Sequence, residues 1–118
     1  MIAKKVKYED FNGNEVEEVL RFNLTKAELT KLELGRKGGT SEYIKEAVES
    51  GDSGKLVDLF YNMLLDSYGV KSEDGKRFVK NARIREDFES SAAFSAIFME
   101  IMQTPEVAES FFKAVTNQ

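Results

Sequence analysis

KLVDLFYNMLLDSYG, residues 55–69, is a helical stretch with apolar side chains on almost every side. Leu56, Val57, Leu59, Phe60, Tyr61, Met63, Leu64, Leu65 and Tyr68 cover most of its circumference. Asp58, Asn62 and Asp66 recur every four positions and leave one narrow polar stripe. A surface helix shows a single apolar face, whereas one that is apolar nearly all round is enclosed by other elements. The stretch is therefore expected to be the central helix, Lys55–Ser67, with Leu56, Leu59, Phe60, Met63 and Leu64 near the core centre. Gly51-Asp52-Ser53-Gly54 breaks the chain before it, and Gly69 stops it.

What encloses it can be read upstream first. In the opening residues Ile2, Val6 and Tyr8 alternate with Lys5, Lys7 and Glu9, and Val16, Val19, Leu20 and Phe22 supply a second apolar set. Phe11-Asn12-Gly13-Asn14 lies between them, and Asn-Gly is a strong hairpin signal because both residues tolerate positive φ. A β-hairpin over residues 1–24 follows. Adjacent Val19 and Leu20 break strict alternation, which points to a bulge or to a strand buried on both faces. An isolated hairpin is marginal in water, so this one must pack on the helices. Thr25 and Glu28 form a capping-box pattern for a helix over Lys26–Leu34 that stops at Gly35. After the Gly35-Arg36-Lys37-Gly38-Gly39 break, Thr40 or Ser41 caps a second helix running to about Ser50.

Downstream, VKSEDGKRFVK at 70–80 is the most turn-rich stretch, and a small hairpin and an ordered loop fit it equally. Asn81 caps a helix from Ala82 to about Glu89. Ser90 or Ser91 continues it or restarts it into Ala92–Gln103. Thr104-Pro105 then opens a last helix, Pro105–Val115, whose stripe of Val107, Ala108, Phe111, Phe112 and Val115 should be buried. The fold class is α+β, mainly α. One domain over 1–118 is expected, with the 1–24 hairpin packed on a bundle of five or six short helices in 25–118.

Composition narrows the chemistry. The 118 residues include no cysteine and no histidine, which removes disulfides, thiolate chemistry, Cys-based zinc sites, the usual general base and the commonest metal ligand. The 17 basic and 21 acidic residues leave a net charge of -4, and no segment is a sustained basic block of the kind nucleic-acid binders carry. No apolar run approaches the ~20 residues of a membrane span. The start, MIAKKVKYED, places charges where an export signal needs apolar residues. Gly35-Arg36-Lys37-Gly38 has the form of a GxxG backbone clamp, but the apolar helix at 55–67 stands where that topology needs a strand. Asp58, Asn62 and Asp66 lie on one helix, which cannot wrap a cation, and serines are plentiful without a base. No catalytic residue, cofactor, metal, nucleic acid or membrane is expected, and the chain is not expected to be an enzyme.

The informative excess is apolar. Ala92, Ala93, Phe94, Ala96, Ile97, Phe98, Met99, Ile101 and Met102, followed by Phe111 and Phe112, offer much aromatic and methionine side-chain area. Met and Phe adapt to varied apolar partners. Phe94, Phe98, Met102, Phe111 and Phe112 are the candidate protein-binding residues, with an ordinary core as the competing explanation for each.

YEDFNGN, RFNLTKAEL, GGTSEYIKEAVES, LFYNMLLDSYGVKSEDGKRFVK and REDFESSAAFSAIFMEI together resemble the tail assembly chaperones of long-tailed, siphovirus-type phages and prophages of Gram-positive bacteria. The order and spacing of these words, most specific at 67–78 and in FNLTKAE, carry the likeness over nearly the whole chain. The resemblance implies a non-catalytic protein of the host cytoplasm. It would bind the tape measure protein, keep it soluble, self-associate, and promote tail-tube assembly with the major tail protein without staying in the virion. Two other readings fit the same residues. One is a different morphogenesis component, such as a tail terminator or head–tail adaptor; the other is a small phage-encoded inhibitor of a host or defence protein.

Overall fold

The computed structural model describes residues 1–34, 39–51 and 53–116. The 35–38 segment weighed as a backbone clamp lies outside the described residues, as does Asp52. The chain runs β1 (Ile2–Glu9), β2 (Glu15–Phe22), α1 (Lys26–Leu34), α2 (Gly39–Ser50) and α3 (Ser53–Ser67). It continues through β3 (Val70–Lys71), β4 (Phe78–Val79), α4 (Ala82–Glu89), α5 (Ala92–Ile101) and α6 (Pro105–Thr116). Among the described residues this is the expected α+β, mainly α architecture, with an N-terminal hairpin and six helices.

β1 and β2 pair antiparallel in unbroken register from Ile2↔Phe22 to Glu9↔Glu15. Period-two alternation turns Val6, Leu20 and Phe22 inward, with Ile2 and Tyr8 packed beside them. The same alternation sends Val19 outward, where it is 47% exposed. Neither a bulge nor a doubly buried strand forms; a regular register gives one of two adjacent apolar residues to solvent. At the turn the Asp10 N–H donates to the Asn14 carbonyl at 2.9 Å and the Gly13 N–H to the Asp10 carbonyl at 3.0 Å. Gly13 takes φ 81°, the left-handed conformation that the Asn-Gly pair signals.

The base of the hairpin is clamped between helix ends. The Asn23 N–H donates to the Ser67 carbonyl at 2.8 Å, and the Leu24 N–H to the Val115 carbonyl at 3.1 Å. Phe22, wholly buried, meets the rings of Tyr68, Phe88 and Phe111 with centroids 5.4–5.9 Å away. One apolar cluster joins the hairpin to α3, α4, α5 and α6. Leu56, Leu59, Phe60, Met63 and Leu64 are all buried in it, as the pattern of the central helix requires. Its polar stripe is not idle, since Asp66 accepts from the Arg85 guanidinium of α4 at 2.5 Å.

Local signals explain most boundaries. The capping box closes as read: the Thr25 N–H donates to Glu28 Oε1 at 3.0 Å and the Glu28 N–H to Thr25 Oγ1 at 3.1 Å. Asn81 caps α4 by accepting from the Ile84 N–H at 2.8 Å. The 70–80 stretch forms a two-residue ribbon, Val70↔Val79 and Lys71↔Phe78, with Gly75 at φ 74° in its turn. α2 begins at Gly39, so Thr40 and Ser41 sit inside its first turn. α5 stops at Ile101, two residues short of the expected Gln103. Val107 is corrected as well: expected in the buried stripe of α6, it is 40% exposed, in the wall of an open groove between β1 and α6.

Candidate protein-contact surface

α5 owes its position to two serines. Ser90 ends α4, and Ser91 starts α5 by accepting from the Phe94 N–H at 3.2 Å while donating to the Phe88 carbonyl at 2.6 Å. A hydroxyl bridging two helix ends fixes the turn between them. The restart aims Ala93, Phe94, Ile97 and Ile101 at the core. Helical spacing then leaves Met99 on the opposite side, 64% exposed.

The two flanks of α5 differ. On the α3 side, Phe98 lies edge-on to Tyr61, with centroids 5.8 Å apart, and stacks on Phe94 at 6.0 Å. The Tyr61 hydroxyl donates to Glu89 at 2.7 Å, a bond that pushes its pKa above the ordinary phenol value and pins the ring. Met102, the C-terminal cap of α5, is half-buried against the same core. Phe98, Met99 and Met102 thus form an apolar strip on a braced helix. On the β1 side, the Lys4 ammonium pairs with Glu100 at 3.2 Å over an open groove of about 450 Å³ between β1 and α6. Ile2, Ile101, Val107, Phe111 and Ala114 provide its apolar lining.

The five candidate residues therefore separate by depth. Phe94, Phe111 and Phe112 are 6%, 5% and 3% exposed and support the surface from beneath, Phe111 also lining the groove. Phe98 and Met102 reach the surface in part. Periodicity gives the face of a helix but not what covers it, which is why one apolar run contains both kinds. Two exposed groups carried weaker signals. Met99 sits inside that run, and Phe11, at the hairpin turn and 84% exposed, is the one aromatic in a turn where polar residues suffice.

The arrangement offers apolar contact area. Among the described residues no group of three acidic side chains could hold a metal ion. A family model described as phage tail assembly chaperone matches residues 1–116. No curated protein and no solved structure matches the chain.

Proposed function

The chain belongs to the phage tail assembly chaperone family, and we propose that it acts by holding the tape measure protein soluble until the tail tube assembles around it. The exposed strip of Met99 with Phe98 and Met102, on a helix pinned by Ser91, is the observation that carries this reading. A long apolar helix needs a partner with adaptable, sequence-tolerant side chains, which methionine and phenylalanine supply. Each such side chain contributes about 1.5–3 kcal/mol on full burial, so one copy binds modestly. Many copies along one target bind strongly together, yet each is displaced singly by arriving major tail protein. No reactive group is needed, and the protein works in the host cytoplasm without catalysis and without remaining in the virion. Among the described residues no helix is long and apolar enough to cross a membrane.

The test is co-expression with the tape measure protein. Met99→Glu with Met102→Glu should abolish co-purification and return the tape measure to the insoluble fraction, while circular dichroism stays helical. Full binding by that folded variant overturns the assignment. A charge at Phe94 or Phe112 would enter the core and report on folding instead.

A further inference from the structure

Phe11 is 84% exposed, yet the loop that carries it is tightly built. The Asp10 carboxylate accepts from the Asn12 and Asn14 N–H groups at 2.9 Å each, and two backbone bonds close the same turn. An aromatic ring presented on a preorganised loop loses little conformational freedom on binding. Its neighbours are acidic: residues 9–15 hold Glu9, Asp10 and Glu15 and no cation.

The opposite character occurs on the β3–β4 ribbon. Val70 and Val79 pair directly and are 50% and 39% exposed. Alternation sets Arg77 on their face and Lys71 on the other, Lys76 precedes Arg77, and of the two acids in the turn Glu73 is exposed while Asp74 is folded in by the Ser72 hydroxyl and the Lys76 N–H. Among the described residues Glu9, Glu15, Lys76 and Arg77 form no ion pair. The ribbon leaves the body at Gly69, whose N–H donates to the Arg21 carbonyl at the base of β2. The tip is at the other end of that strand, about 20 Å away at ~3.3 Å per residue. One copy cannot bring its own two patches together.

We propose that copies of this chain associate head to tail, the Phe11 tip of one seating on the Val70–Val79 face of the next, with Glu9 and Glu15 meeting Lys76 and Arg77. Tip against tip would set acid against acid, so a two-fold dimer through this feature is disfavoured. A contact between unlike patches propagates into a ring or an open chain. The contact is small and charged, so it is weak, concentration-dependent and salt-sensitive. Its test uses the chaperone alone, so its failure is distinct from a failure to bind tape measure.

The chain has no cysteine, so introduced ones react cleanly. An Asn12→Cys protein mixed with a Glu73→Cys protein should be joined by a short bis-maleimide roughly tenfold faster than with a Ser110→Cys protein, which marks the rival groove on α6. Adding Phe11→Ser to the first partner, or Lys76→Glu with Arg77→Glu to the second, should remove that preference. Glu9→Lys with Glu15→Lys in the first partner should restore it against the charge-reversed second. Equal rates at Glu73 and Ser110, preference for Ser110, or sedimentation that shows wild type and Phe11→Ser to be the same monomer at every concentration, would each overturn the proposal.

Discussion

Glu28 carries two loads at once. It closes the capping box of α1 and accepts from the Lys80 ammonium at 2.6 Å, while that ammonium also donates to the Asn23 carbonyl at 2.7 Å. Burial alone would raise its pKa, but the bonds from Lys80 and Thr25 outweigh that and hold it below the usual carboxylate range. A lowered folded pKa stabilises the fold above the unfolded value and loses that contribution as pH falls through the folded one. Denaturant midpoints should therefore drop as pH falls from about 5 to 3, and Glu28→Gln should flatten that drop; an unaltered profile would mean the carboxylate does not couple to folding. Gly69 is constrained differently, by space. A Cβ there would lie 2.7 Å from the Phe78 ring and 2.9 Å from the Val79 carbonyl oxygen. Backbone cannot yield as a flexible side chain can, so Gly69→Ala should cost about 1–3 kcal/mol in chemical unfolding. A smaller loss would show that the ribbon moves freely on the body.

At the scale of elements, the starts of helices are where sequence and structure agree most closely. Thr25 with Glu28, Asn81, and Thr104 with Pro105 each supply a bond that only a helix start uses, so each could be recognised without knowing the rest of the fold. Whether Ser90 or Ser91 restarts α5 could not, because both are cap residues and the choice rests on which turn lets Phe94 reach the core. Ser91→Ala should cost about 1 kcal/mol, and the same change at Ser90, whose side chain has no such role at the start of α5, should cost less. Equal losses would place the cap elsewhere. The adjacent Val19 and Leu20 were ambiguous for a related reason: both are strand-formers, and only the Lys4↔Leu20 and Lys5↔Val19 register decides which faces in. The contact strip was legible as composition and not as position. Phe94 and Phe98 differ by one helical turn, yet Phe94 is shut in by Tyr61 and Phe88, a tertiary fact that spacing does not contain.

The whole molecule measures 41 × 32 × 22 Å, and its radius of gyration of 14.5 Å exceeds the roughly 13–14 Å that compact scaling gives for this length. That excess fits a hairpin whose base is clamped and whose tip stands clear. These dimensions bound how much of a target one copy can cover. The ten residues of α5 lie along about 15 Å of axis at 1.5 Å per residue, matching about 10 residues of a bound helix. The full 41 Å length could cover at most about 27. On the proposed function, one copy should therefore protect roughly 10–27 residues, and the number bound should grow in proportion to the length of the tape measure fragment. Light scattering on complexes with fragments of 60, 120 and 240 residues measures this directly. Proportional growth is what a coat along the helix requires. A fixed number of copies whatever the length would mean that the chaperone recognises one end or one motif, and an exposed, sequence-tolerant strip such as Met99 would then be the wrong kind of surface for the task.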